Sequence, residues 1–307
     1  MTSALRVGVV GTTGFIGRSI CHQLEQSGHT VIPLRAPRLR SATPSVAGLV
    51  RDVRPEVVTR VADQLVGCAV LVNAAGAASA LSTDLPGLLG ANSLLPGVLQ
   101  EAARRAGLAR FVHVSSAGVQ GRRNPLDESS THDGSSPYTI SKALGEDLLD
   151  ELWWDATVVL RPTSVHGPGR AVTMSVARVA RSPLAVVAAP GEDPTPQVHV
   201  RQVARSAEIL TDLTLAPPRI VLQPWEGFTT SSFLTLLGGR RPLRLPRRLV
   251  RSAVRGAFLT SHLGGGRIWA QARRLEMLTL GQSQVPGWLD TVDPSLTRRH
   301  PAWQHLA

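Results

Sequence analysis

Apolar positions recur along the first half of the chain in two patterns. Short, mostly β-branched runs at Leu5–Val10, Thr30–Leu34, Ala69–Val72, Arg110–Val114 and Thr157–Leu160 predict buried strands, with Val46–Val50 as a weaker one. Longer stretches with helical spacing predict helices over Arg18–Ser27, Pro55–Val66 and Asn92–Ala106, and another from Pro137. Gly28 and Gly107 stand just past two of these stretches, where a left-handed residue ends a helix. Strands alternating with helices at this rhythm imply right-handed βαβ units. The expected fold is α/β, a doubly wound parallel sheet of the Rossmann kind.

After Arg161-Pro162 the rhythm breaks. Residues 163–197 are rich in Pro, Gly and small side chains, and 223–307 read as helical and basic. A helix over Arg201–Leu213 and a strand at Arg219–Leu222 would rejoin the sheet. The expected division is a Rossmann domain of residues 1–162 with 198–222, and a smaller C-terminal lobe of 163–197 and 223–307.

Composition narrows the classes. Of 307 residues, 43% are hydrophobic and 18% charged, which supports a sizeable core and excludes global disorder. Cys21 and Cys68 are the only cysteines, so a disulfide scaffold is excluded. The nine histidines show no metal-ligand spacing, and no metal is expected. No apolar run reaches the roughly eighteen residues of a spanning helix, and the first residues lack a signal peptide's basic segment. A cytoplasmic protein without an integral membrane segment is expected.

Net charge is +11 and uneven: residues 1–200 carry 18 basic against 16 acidic side chains, residues 201–307 carry 15 against 6. Such a second part suits an anionic partner or is a solvated arginine-rich face. Leu245–Arg255 is basic and amphipathic, suiting a membrane surface or, in preference, a helix shielding a substrate. Trp153-Trp154 reads as packing rather than as a stacking platform, and no nucleic-acid partner is expected.

Three groups of residues carry chemistry. Gly11-Thr-Thr-Gly14-Phe-Ile-Gly17 follows the first strand and opens a helix, where backbone N–H groups and the helix dipole suit a pyrophosphate. Gly11 permits the turn, Gly14 a close backbone approach, and Gly17 tight packing of helix on strand. At the end of the second strand, where an acidic residue would accept from an adenosine ribose, stands Arg35, with Arg38 and Arg40 behind it. Arginine suits a 2′-phosphate, so NADP(H) is expected over NAD(H). Finally, the single tyrosine, Tyr138, and the single lysine, Lys142, stand four residues apart and share a helix face. An ammonium beside a phenol favours the phenolate and suits the pair to pass a proton to or from a carbinol oxygen. Ser115 and Ser116 end a strand at the edge where open α/β sheets bind ligands.

With Asn73-Ala-Ala-Gly76, Val114-Ser-Ser-Ala-Gly118, Tyr138-Thr-Ile-Ser-Lys142 and Arg161-Pro-Thr-Ser-Val-His-Gly-Pro168 added, the chain resembles an extended short-chain dehydrogenase/reductase of the NAD(P)-dependent epimerase/dehydratase superfamily. The resemblance covers residues 5–205. It implies a catalytic serine at Ser116, an acid/base at Tyr138, and Lys142 as its partner on the nicotinamide ribose. It implies a cofactor cradle of Gly11, Thr13, Gly14, Phe15, Ile16 and Gly17, and an adenine-contacting segment at Asp52 and Val53. Ala74, Ala75 and Gly76 would pass beside the cofactor, and Pro162 and Val165 would flank the nicotinamide.

Departures from the family pattern sharpen the expectation. Ser116-Ala117-Gly118 carries no carboxylate to remove water, which weighs against a dehydratase. Ser164 stands where nucleotide-sugar enzymes commonly place Asn, Gln120 and His166 replace tyrosines, and Arg201-Gln202 replaces an acidic residue. These changes weigh against a nucleotide-sugar substrate and leave the hydride machinery intact. The expected function is an NADPH-dependent ketoreductase acting on a small-molecule substrate, a nucleotide-linked keto-sugar or a secondary-metabolite ketone. An NAD(P)-dependent sugar epimerase and a non-catalytic NADP-binding redox sensor are the alternatives, and assembly as a homodimer is left open.

Overall fold

The computed structural model describes residues 4–77 and 84–306, the side chains of 260–268 excepted. In chain order the elements are β1 (Arg6–Val10), α1 (Phe15–Gln26), β2 (Thr30–Leu34), α2 (Val46–Asp52), α3 (Pro55–Ala62), β3 (Val70–Asn73), α4 (Leu85–Leu89), α5 (Leu95–Arg105), β4 (Arg110–Val114), α6 (Pro137–Glu151) and β5 (Thr157–Arg161). There follow β6 (Ser164–His166), α7 (Ala171–Arg181), β7 (Val186–Ala188), β8 (Gln197–His199), α8 (Val200–Ile209), β9 (Ile220–Leu222), α9 (Thr230–Gly238), β10 (Leu243–Leu245), α10 (Arg247–Thr279) and α11 (Trp288–Val292). Two compact units result: residues 1–122, 128–162 and 203–223 form the first, and 123–127, 163–202 and 224–307 the second.

The first unit holds a six-stranded sheet in the order β2-β1-β3-β4-β5-β9. Every neighbouring pair is parallel, Val7 standing opposite both Val31 and Val70. The chain winds one way from β1 to β2 and the other way from β3 onward, a Rossmann-like arrangement whose reversal lies between β1 and β3. Because all strands run the same way, Gly11, Ala74, Ser115 and Pro162, each following a strand, emerge at one edge of the sheet. Val10, Leu71, Phe111 and Val159 of the sheet bury with Leu49, Val58, Val61, Leu95, Leu99 and Leu148 of the helices in one core.

The structure differs from the expected elements at particular places. Val46–Val50 forms part of helix α2, not a strand: Ser45 accepts from the Gly48 N–H at 3.3 Å and caps the helix, and Leu49 enters the core. The helix expected over 92–106 begins as α5 at Leu95, after a widened π turn over Gly90–Leu94. That expected over 55–66 stops at Ala62, and a tight turn carries the chain to Leu65. Strand β9 does join the sheet beside β5.

The second unit contains two parallel two-stranded pairs, β6 with β8 and β7 with β10. Its main core gathers Val176, Ala180, Phe228, Phe233, Leu237 and Trp303. A smaller cluster sets Val250 and Val254 of α10 on Ala188.

Candidate active site

The glycine turn is built by contacts that exclude side chains. Gly11 has φ +87°, and a Cβ there would lie 2.6 Å from the Ala75 nitrogen. A Cβ on Gly17 would lie 2.0 Å from the Gly11 carbonyl oxygen. Both residues therefore let the turn, the first helix and the Ala74–Ala75 segment close together. At Gly14 a Cβ would meet only the Gly11 oxygen, at 3.2 Å, so its outer side is open. Helix α1 starts at Phe15 with no side-chain cap and no acidic residue in its first turn. Thr13 lies in this turn, and Phe15 and Ile16 in the first turn of α1.

Arg35 and Arg38 are exposed beyond the end of β2. Arg40 is committed elsewhere, to Asp84 through contacts of 2.7 and 3.0 Å. Asp52 ends α2 and accepts from the Ser41 hydroxyl at 2.7 Å, and Val53 caps the same helix. Ala74 donates to the Val10 carbonyl at 3.0 Å, which fastens the segment after β3 beside the glycine turn.

Helix α6 opens with a capping box between Ser136 and Thr139, with Pro137 in its first turn. Tyr138 and Lys142 follow at helical spacing. Tyr138 is half-buried. Lys142 is buried, and its Nζ donates to the Val114 carbonyl at 3.1 Å. A Cβ on Gly76 would lie 3.2 Å from that Nζ, so the lysine stands beside the segment after β3. Burial pushes its ammonium down to about 8, with Glu146 opposing the shift. Ser116 is half-buried and accepts from the Gly118 N–H at 3.1 Å. A Cβ on Gly118 would lie 3.2 Å from both the Ser116 hydroxyl and Thr139, which sets the serine turn against the residue after Tyr138. Ala117 donates to the Pro162 carbonyl at 2.8 Å. Val165 belongs to the second unit, buried in β6 opposite Val198.

Sequence reasoning missed two supports of this cluster. Asn92, in the π turn, donates to the Ser141 hydroxyl at 3.0 Å and to the Ala77 carbonyl at 3.1 Å, and accepts from the Ala77 N–H at 2.9 Å. Gly145 allows α6 this close, since a Cβ there would lie 2.2 Å from the Asn92 carbonyl. The second support is Glu146, one turn beyond Lys142. It accepts from the Ser115 hydroxyl, from Arg161 Nε at 3.1 Å and Nη2 at 2.5 Å, and from His132 at 3.0 Å. His132 also meets Asp147 at 3.0 Å. Burial alone would raise the Glu146 carboxyl, but His132 and Arg161 hold it down at about 2. Burial likewise works against a charged His132, and its two carboxylates outweigh that, taking it up to about 9. The signal for Glu146 was present: Tyr138, Lys142 and Glu146 repeat at i, i+4 and i+8 on one helix face.

In the second unit two of the departures noted in the sequence, Ser164 and His166, are bonded to each other. His166 Nε2 bonds Ser164 at 3.0 Å and Gln197 at 2.8 Å, and burial pushes the imidazole down to about 3. Gln202 donates to the Arg298 carbonyl at 3.1 Å.

The sequence pattern of the NAD dependent epimerase/dehydratase family matches residues 7–207. The chain is 34% identical over 186 residues to a ceramide reductase of Caulobacter vibrioides, covering 58% of this chain and 52% of the relative. It is 30% identical over 191 residues to a UDP-glucose 4-epimerase of Mycolicibacterium smegmatis, covering 53% and 57%. The chain thus spans about half the length of these curated relatives. Among solved structures, a dTDP-4-dehydrorhamnose reductase of Bacillus anthracis in complex with NADP superposes with a TM-score of 0.59 at 16% identity, over 80% of this chain and 85% of that one. A UDP-glucuronic acid 4-epimerase of Bacillus cereus in complex with NAD gives 0.58 at 18% identity, over 79% and 88%. These two likenesses are of fold.

Proposed function

The chain belongs to the NAD dependent epimerase/dehydratase family, and we propose that it acts there as an NADPH-dependent ketoreductase on a small metabolite. The observation that carries this reading is Lys142: a buried ammonium on the same helix face as Tyr138, beside the segment after β3 and at the end of β4. The open side of Gly14 and the uncapped start of α1 fit a dinucleotide's pyrophosphate, and the exposed Arg35 and Arg38 fit a 2′-phosphate by charge-assisted contact. When bound, the nicotinamide cofactor supplies the hydride. In that reaction the Tyr138 hydroxyl gives its proton to the carbinol oxygen, Lys142 stabilises the phenolate left behind, and the Ser116 hydroxyl donates to the same oxygen. Reduction is also the direction named for the ceramide reductase relative.

The substrate carbonyl belongs to a nucleotide-linked keto-sugar or to a neutral ketone. Ser164 stands where nucleotide-sugar enzymes commonly place Asn, and His166 Nε2 is held between it and the Gln197 side-chain oxygen; this departure favours the neutral ketone. The 30% identity to a UDP-glucose 4-epimerase supports a second reading, an epimerase that retains its nicotinamide cofactor between turnovers. Calorimetric titration with NADPH and NADH separates these readings. NADPH is expected to bind tighter, and Arg35→Asp to weaken it by about 1.5–3 kcal/mol. Equal affinity, or tighter NADH, contradicts the NADPH assignment and favours the second reading.

A further inference from the structure

The second unit exposes a surface that the proposed chemistry does not use. Between Glu226 and Glu276 the chain holds ten arginines and no acidic residue. Arg247 pairs with Asp193, and Arg273 with Glu276. Arg240 is bound to the Ser182 carbonyl. Arg241, Arg244, Arg248, Arg251 and Arg255 are exposed, and among the described residues none of these five forms an ion pair.

Leucines stand among these arginines. Leu243, Leu245, Leu249 and Leu259 are 57%, 39%, 60% and 70% exposed. Val250 and Val254 turn α10 inward onto Ala188, which fixes the outward face. At about 100° per residue, Arg248, Arg251 and Arg255 fall within an arc of about 60° on that face. Leu259 and Leu249 continue the face beyond them.

We propose that β10 and the first turns of α10 form a docking face for an anionic lipid surface. Guanidinium groups pair with headgroup phosphates, and the leucines beside them enter the boundary with the acyl chains. Charge complementarity alone would also admit nucleic acid. The patch, however, offers branched aliphatic side chains where a nucleic-acid surface would present aromatic rings for stacking. Among the described residues no helix is long and apolar enough to cross a membrane, so the contact is peripheral. The inference stands apart from the ketoreductase reading, since none of these residues belongs to the candidate active site.

Sedimentation of the full chain with vesicles tests it. Phosphatidylcholine vesicles containing about one third phosphatidylglycerol should carry the protein down, and phosphatidylcholine alone should not. Each arginine near an anionic surface contributes about fivefold, so Arg248→Gln/Arg251→Gln/Arg255→Gln should lower partitioning by about a hundredfold. Leu249→Ser/Leu259→Ser should lower the binding that survives raised salt. Both variants alter exposed side chains, and circular dichroism should match the wild type. Failure to sediment with anionic vesicles overturns the proposal, as does undiminished binding by the triple variant. A short DNA duplex bound as tightly as the vesicles, with the leucine variant unchanged towards both, identifies a general polyanion surface and also overturns it.

Discussion

Glu146 in the first unit and Glu226 in the second are both buried carboxylates, and the two are treated in opposite ways. Glu146, in the first unit, is met by the guanidinium of Arg161 and by His132, and is held down at about 2. Glu226, in the second, accepts from the backbone N–H groups of His199 and His300 and from the Trp303 indole. Burial there prevails over these neutral donors, with Arg299 a minor influence, and its carboxyl is raised. Desolvation penalises both charges, and the charge of the neighbours decides the outcome. The carboxylate with cationic partners stands one helical turn from Lys142 and fixes Ser115, the neighbour of Ser116. The one with neutral donors ties the C-terminal segment to β8. A buried acid is therefore no mark of a site by itself. What distinguishes Glu146 is that its partners come from the end of β4, from β5 and from the loop before α6.

Removing each charge widens the contrast. Glu146→Gln should cost about 3–5 kcal/mol in urea denaturation, because Arg161 is left buried without its counter-charge. A loss below about 1 kcal/mol would mean that the network is not a unit. Glu226→Gln should cost less, about 1–3 kcal/mol, since only neutral bonds are weakened. Equal losses would erase the distinction.

Acid should separate the two more gently. Glu146 is depressed below its ordinary 4.5, so its contribution is present above that value and fades as pH falls toward about 2. Glu226 is raised, so acid relieves its penalty over the range just above 4.5. His132, raised to about 9, stabilises the first unit below 6.5 and loses that contribution as pH rises through about 9. Amide exchange followed against pH should therefore show α6 loosening at both extremes. Protection near Glu226 should hold, or rise, on mild acidification. Parallel behaviour of both segments would contradict these assignments.

The first unit was more legible in the sequence than the second for a physical reason. A strand, a glycine turn and a helix form a local unit, and Tyr138 and Lys142 are a helical pair, so spacing alone relates them. Asn92 meets Ser141, and Glu146 meets Ser115 and Arg161, only through tertiary packing across 49, 31 and 15 residues. The Val46–Val50 run misleads because its apolar and β-branched residues suit a strand as well as a helix; the Ser45 cap decides. The short pairs β6–β8 and β7–β10 carry three residues each, too few for an alternation to show.

The central claim is that Tyr138 moves the proton that accompanies reduction. Its most direct test is the rate of NADPH oxidation by a panel of ketones, compared between the wild type and Tyr138→Phe at matched NADPH affinity. The account predicts an intact fold, unchanged cofactor binding and turnover lowered by about 10² or more. Full activity in the phenylalanine variant would contradict it, because another group would then be donating the proton.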